Sequence, residues 1–319
     1  MAKPKPAPLP AGCEVGGYRI VRFMASGGSS LVYQAQAATG EAVLLKEFLP
    51  AALMHRPAGQ FEPMIRPGAV DRVRRGLHAF LDSARNLAVL QHAAVACVID
   101  CVQAHETVYL VSPYLEGHTL QAHVVAARQW AGRRLACLSE SSVISLGLDL
   151  LQALEVVHEA GLLHLDIKPS NVLMTLDGGL VLLDFDAAQP LTEAHVATLA
   201  DVQVRPAFTP GFSAPETMAS ESLQGPWTDL YAVGACLYAC MSGHPPQDCK
   251  SRAQSDSVPE SLQGLVSVYT AGLCAAVQRA LALDAAVRPQ QVAHLRAELL
   301  QAAQSRPMHA QPCEPPLQH

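Results

Sequence analysis

Four polar residues close together set the chemistry in question: Asp166, Lys168 and Asn171 in HLDIKPSN (164–171), and Asp184 at the head of DFD (184–186). An aspartate can orient or deprotonate an attacking hydroxyl, and a lysine two residues on can neutralise a phosphoryl group in transit. Asn171, five residues after the aspartate, offers a neutral oxygen to a hard cation. Asp184 ends the apolar run LVLL, where a carboxylate is costly unless a metal or hydrogen bonds compensate it. The turn TLDGG (175–179) joins two short strands between Asn171 and Asp184, so both side chains can converge on one magnesium ion. Two further ingredients lie upstream: a lysine, Lys46, at the end of AVLLK, and a glycine turn at SGGSS (26–30) whose backbone can approach phosphates.

The elements that must carry these residues divide the chain near residue 115. From Tyr18 to Glu47 the chain is rich in β-branched and aromatic residues, broken at SGGSS, which predicts three strands with the last ending at Lys46. Prolines at 50, 57, 63 and 67 predict a loop or insertion up to about Gly68. Helical spacing of Leu77, Phe80, Leu81, Ala84, Leu87 and Leu90 predicts one amphipathic helix over 76–91, followed by strands near 96–102 and 108–112. After Glu116-Gly117 the pattern turns helical, with a long helix over 139–160 and others over 228–242, 271–283 and 289–302.

Composition narrows the class. The chain has 319 residues, 50% hydrophobic and 16% charged, enough for a large core. A formal net charge of −6 argues against nucleic acid and anionic membranes as partners. The nine cysteines include no C-x-x-C pair, so buried thiols in a reducing compartment are expected rather than a metal site. MAKPKPAPLP lacks the apolar core of a signal peptide and predicts an extended, disordered arm over 1–16; the proline-dotted end predicts a disordered tail over 303–319. No apolar run reaches the roughly eighteen residues of a membrane span, so a cytoplasmic protein is expected, with the proline-rich ends as candidate tethers.

Taken together and in order, these motifs resemble the eukaryotic-like serine/threonine protein kinases of bacteria, over residues 17–302. Ala214-Pro215-Glu216, Asp229 in WTDLYAVG, Thr209 in TPGFSAPE and Arg288 near the end extend the likeness. Any one element alone has an ordinary explanation: a strand-end lysine, an aspartate capping a helix, a core histidine. The resemblance implies an α+β, bilobal fold: a small β-rich N-lobe (17–112), a hinge (113–117) and a larger, mainly helical C-lobe (118–302). It implies ATP with Mg²⁺, or Mn²⁺, and a protein substrate. Asp166, Lys168 and Lys46 would be catalytic. Lys46, Gly27, Gly28, Val32, Pro113, Leu115 and Leu173 would contact nucleotide, with Ser112 as a small gatekeeper. Asn171 and Asp184 would hold metal, while His164, Phe185, Thr209, Glu216, Asp229 and Arg288 would be structural.

The likeness breaks at particular positions. The glycine-rich pattern G-x-G-x-x-G falls on Ala25, Gly27 and Ser30, which should loosen the lid over the phosphates. Leu44 stands where the family has a small alanine against adenine. Ser83 falls where a helix glutamate should pair with Lys46, so a shifted helix, Glu47 or Asp184 is expected to hold that lysine instead. Leu165 replaces the arginine that reads a phosphorylated activation loop, which makes Thr192 and Thr198 ordinary loop residues rather than switches. Asp186 replaces the glycine of the D-F-G motif and adds charge beside the metal site. The retained residues imply a serine/threonine kinase, and the altered ones a slow one. The alternatives are a pseudokinase scaffold and, from the D-x-D likeness, a small-molecule kinase, against which Lys168, Thr209, Glu216 and Asp229 stand.

Overall fold

The computed structural model describes residues 6–131, 137–191, 208–218 and 223–305. They form two compact units: residues up to 91 with 96–116, and residues 92–95 with those from 117 on. Thr192 and Thr198 lie outside the described residues, as do 1–5 and most of the tail.

The first unit is built on a six-stranded antiparallel sheet. In chain order its strands are β1 (Glu14–Val15), β2 (Tyr18–Ser26), β3 (Ser30–Ala37), β4 (Ala42–Phe48), β7 (Asp100–Ala104) and β8 (Thr107–Pro113), side by side as β1-β2-β3-β4-β8-β7. Period-two alternation sends Leu31, Tyr33, Ala35, Val43, Leu45 and Glu47 to one face, all buried. Val32, Leu44 and Lys46 share the other face with Ser112 and Leu110. Helix α1 (Val70–Ala88) packs on the lysine face: the Phe80 ring lies 5.4 Å from that of Phe48 and 6.0 Å from Lys46 Nζ.

Three expectations for this unit need correction. Residues 6–16 are not a solvated arm, because Leu9 and Val15 are buried in the core and backbone bonds join Ala7 to Arg56 and Gly12 to Ile20. The stretch after Phe48 is not merely a loop; it folds into a small hairpin, β5 (Met54–His55) with β6 (Met64–Ile65). Helix α1 starts at Val70, six residues before the apolar periodicity suggests, since Asp71, Arg72, Arg74 and Arg75 turn to water.

The second unit is mainly helical. A three-stranded sheet orders β12 (Leu180–Leu182), β11 (Val172–Thr175) and β9 (Gly117–Thr119), and β10 (Leu162–Leu163) pairs with β13 (Gln189–Pro190). The helices are α2 (Leu120–Ala131), α3 (Glu140–Glu159), α4 (Pro226–Ser242), α5 (Cys249–Arg252), α6 (Val258–Leu265), α7 (Ala271–Ala280) and α8 (Val292–Gln304). Helix α3 starts where Ser139 Oγ accepts from Ser142 N–H (3.2 Å), and α4 ends at Gly243, which takes the left-handed conformation (φ 77°). Nearly every residue of α4 is buried, so it shows no polar stripe and serves as the post around which α3, α7 and α8 pack. Among the described residues no helix is long and apolar enough to cross a membrane.

Candidate active site

Asp229, near the start of α4, organises the loop that carries the candidate catalytic residues. Its buried carboxylate accepts from the backbone N–H of His164 (2.9 Å) and of Leu165 (2.8 Å), and His158 Nε2 bonds it at 2.9 Å. Burial alone would push this carboxyl up, but the hydrogen bonds from His158 and the His164 backbone help to outweigh it and hold the group below the ordinary aspartate range. Leu165 consequently sits at φ 62°, a strained angle for a branched side chain, and its backbone is held there from both sides. The His164 ring is clamped too: Asp166 N–H donates to Nδ1 (3.2 Å), Nε2 donates to the Leu183 carbonyl (3.0 Å), and the Phe185 ring lies 4.5 Å away.

On this scaffold Asp166 gathers three side chains. Its Oδ2 accepts from Lys168 Nζ (2.7 Å) and Asn171 Nδ2 (3.1 Å), and its Oδ1 from Thr209 Oγ1 (3.2 Å). Thr209 is itself fixed, its N–H donating to Ser213 Oγ at 2.9 Å. Asp166 stays part-exposed, lining a small pocket with Leu165, Phe212 and Ser213. Such a carboxylate, oriented by neighbours yet open to solvent, suits a group that meets a substrate hydroxyl.

The metal-binding expectation can be tested on Asn171. Its Nδ2 donates to the Asp166 carbonyl (2.9 Å) and carboxylate, which turns the amide oxygen into the free acceptor a hard cation needs. The Leu183 N–H bonds the Asn171 carbonyl (2.8 Å), tying the strand end that carries Asp184 to the same loop. Asp184 adopts φ 61°, in the left-handed region that aspartate enters more readily than a branched residue. An amide oxygen and one carboxylate fit magnesium, which takes few protein ligands and completes its shell with phosphate and water. Leu173, also expected to touch nucleotide, lies buried on β11 opposite Thr119 and Val181.

Glu216 and Arg288 form a buried fork, Nη1 to Oε1 at 2.7 Å and Nη2 to Oε2 at 3.0 Å. Thr228 Oγ1 donates to the same carboxylate (2.9 Å), and Arg288 also bonds the carbonyls of Ala282 and Leu283. This fixes the segment after Thr209 to the helical core.

The remaining candidates belong to the first unit. Val32 stands directly opposite Lys46 and Leu44 opposite Ser112, on one face of the sheet. Pro113 pairs with Val43, Tyr114 N–H donates to the Ala42 carbonyl (3.1 Å), and Leu115 is exposed. Gly27 N–H closes a tight turn on the Ser30 carbonyl (2.8 Å), yet neither Gly27 nor Gly28 has positive φ. A Cβ on Gly28 would meet nothing within 4 Å, so the fold itself does not require that glycine.

Ser83, where the pairing glutamate was expected, and Glu47, one of the proposed holders of Lys46, are both engaged elsewhere. Ser83 is buried, and its hydroxyl donates to the Phe80 carbonyl of its own helix (2.8 Å). Glu47 points away from Lys46, to the opposite face, where it pairs with Arg56 and accepts from Tyr33 (2.8 Å) and Tyr109 (2.9 Å). Sequence reasoning missed this cluster and missed His158. His158 carried a signal, for it lies four residues after Leu154 and seven after Leu151, a polar residue on the apolar face of α3.

A β-rich unit followed by a helical unit, with a carboxylate loop pinned to a central helix, defines the protein-kinase class of fold. Residues 69–308 match the protein kinase domain family, and the chain belongs to it. Similar proteins include the serine/threonine-protein kinase PknD of Chlamydia caviae, 29% identical over 91% of this chain and 31% of that protein. PknK of Mycobacterium tuberculosis is 31% identical over 72% of the chain and 20% of its own length, and PknB of the same organism is 28% identical over 72% and 37%. The chain thus spans between about a fifth and little more than a third of these relatives. Among solved structures, the apo form of PpkA-294 superposes with a TM-score of 0.75 at 28% identity, covering 92% of this chain and 99% of that one. A point mutant of the PknI kinase domain of Mycobacterium tuberculosis shares the fold at a TM-score of 0.65 and 22% identity, over 93% of this chain and all of that one.

Proposed function

We propose that this chain transfers the γ-phosphoryl group of ATP to serine or threonine hydroxyls of proteins in the cytoplasm. The observation that carries the reading is the Asp166 carboxylate, oriented by Lys168, Asn171 and Thr209 on a loop whose backbone bonds buried Asp229. Asp166 accepts the hydrogen bond of the attacking hydroxyl, and Lys168 neutralises charge on the moving phosphoryl group. Asn171 and Asp184 would hold magnesium, whose positive charge would offset that of the phosphates. Lys46 serves the α- and β-phosphates. Leu165, buried where the family's arginine would reach a phosphate, leaves that role unfilled, so activity does not depend on phosphorylation of the following segment.

A second reading, a scaffold that binds nucleotide without transfer, draws on one observation: Ser83 and Glu47 are committed to partners other than Lys46. The test is transfer of labelled γ-phosphate to the chain and to a basic protein, in Mg²⁺ and separately in Mn²⁺, with Asp166→Ala as control. Label in the parent alone supports the enzyme. A thermal shift with ATP but no label in either selects the scaffold, and phosphorylation of amino alcohols alone would sink both.

A further inference from the structure

The largest buried polar cluster of the first unit has no role in the chemistry described so far, yet it begins one residue from Lys46. Glu47 and Arg56 pair with both side chains wholly shielded from water. Tyr33 and Tyr109 donate to the same carboxylate, and burial, reinforced by Glu47, pushes both phenols far up, so they remain protonated donors. Arg56 reaches further, to the carbonyls of Ala7 (3.1 Å) and Phe61 (2.8 Å). Leu9 N–H donates to Tyr33 Oη (3.2 Å) and Ala7 N–H to the Arg56 carbonyl (3.2 Å), so the segment before β1 is strapped onto this face. Farther along β4, Thr107 Oγ1 donates to the Phe48 carbonyl (2.6 Å) and Leu49 N–H to the Ser29 carbonyl (2.9 Å), which couples the strand end to the glycine turn.

A buried ion pair is weak evidence for stability, because desolvation offsets most of its attraction; its better-attested use is to fix a geometry. Here the geometry fixed is the end of β4. Lys46 and Glu47 are neighbours on one strand with side chains on opposite faces, so a carboxylate bonded to β3, β8 and the 49–68 insertion at once sets the backbone from which Lys46 projects. Helix α1 has a serine where a positioning glutamate would serve the lysine from its own face.

We propose that Glu47, Arg56 and the strap of residues 6–9 are positioning elements for Lys46: they hold the phosphate-binding lysine in place from the far side of the sheet. The inference rests on the nucleotide-binding role given to Lys46 above.

The test compares the affinity of the full chain for MgATP with its affinity for adenosine, which lacks phosphates. Lys46→Met sets the reference, weakening MgATP and sparing adenosine. The variants are Tyr33→Phe with Tyr109→Phe, and Arg56→Met with Glu47→Gln, the second removing both buried charges so that neither is stranded. Each is measured at a temperature where its own melting curve shows it folded. We expect roughly tenfold weaker MgATP binding with adenosine unchanged, the size of effect that a small misplacement of a binding group produces. A lowered melting temperature with both affinities unchanged, or an equal loss of both, would make the cluster merely structural and overturn the proposal. A parent that binds MgATP but transfers no phosphate leaves this inference intact while ending the kinase reading. A parent that binds neither ligand ends both.

Discussion

In the second unit a buried carboxylate, Asp229, bonds the backbone of the very loop that presents Asp166. In the first unit a buried carboxylate, Glu47, lies next to Lys46 but faces the other way, toward Arg56 and two tyrosines. Asp229 bonds the loop of the proposed catalytic residues from directly behind, whereas Glu47 bonds β3, β8 and Arg56 on the sheet face opposite Lys46. The difference locates the divergence of this chain: residues that would meet the attacking hydroxyl and the metal keep their types and neighbours, whereas those that would shape the phosphate lid and hold the lysine do not.

The largest effect expected is on the second unit's own scaffold. Arg288→Ala strips the partner from buried Glu216 and leaves its charge uncompensated, at a cost of about 3–5 kcal/mol. Removal of a surface partner such as Arg19, whose bond to Glu14 lies in open water, should cost at most about 1 kcal/mol. Chemical denaturation of both variants checks the contrast, and equal losses would show that Arg288→Ala does not leave Glu216 as an uncompensated buried charge.

Acid sharpens the same contrast. The Asp229 carboxyl is held below its unfolded value, so its contribution is fully present above the unfolded pKa, which is near 4 for an aspartate, and is lost as pH falls through the lower folded value. Stability measured downward from about pH 6 should therefore drop in that window. The drop should be shallower in Asp229→Asn, which retains one acceptor oxygen but no titrating group. An unchanged slope would assign the acid sensitivity to other carboxylates.

Much of this was legible in the sequence because the second unit places its chemistry on short, contiguous motifs. The His164–Asn171 loop could be read from residue type and spacing, and the pairing of Glu216 with Arg288 and the place of Asp229 from the resemblance those motifs carry. What escaped was long-range or masked by surface residues. Arg56 meets Glu47 only because a hairpin folds back over the sheet, and nothing local marks either residue as a partner. Helix α2 buries Leu120, Val124 and Ala127 at helical spacing, but exposed Val125 and Trp130 blur that stripe. The β7–β8 turn carries His105 and Glu106 at φ 49° and 54°, a hairpin turn built without the usual glycine or asparagine. Leu9 reads as part of a proline-rich arm, yet it is buried, and bonds from Leu9 to Tyr33 and between Ala7 and Arg56 dock the segment.

Ser83→Glu places a carboxylate where the family's helix glutamate would stand. The position is buried and the native hydroxyl bonds its own helix, so an added carboxylate that found no cation would cost more than the roughly 1–3 kcal/mol of a neutral unsatisfied group. If the far-side cluster already positions Lys46, phosphate transfer should not rise. A several-fold gain in transfer would show instead that the glutamate is the limiting absence and that the cluster is no substitute for it.

Gly28→Ala should have the smallest effect on the fold and is informative for that reason. The backbone there is not left-handed, and an added methyl meets open space, so stability should change by no more than about 0.5 kcal/mol. Any loss of MgATP affinity must then come from the ligand side, through a methyl group obstructing the approach of phosphate to the backbone. Unchanged melting with several-fold weaker MgATP binding would mean that this glycine is kept for the nucleotide and that the turn still acts as a lid despite Ala25 and Ser30. Unchanged melting with unchanged affinity would mean that the turn no longer touches phosphate, and that the first unit's contribution to nucleotide binding rests on Lys46 and the strand that holds it.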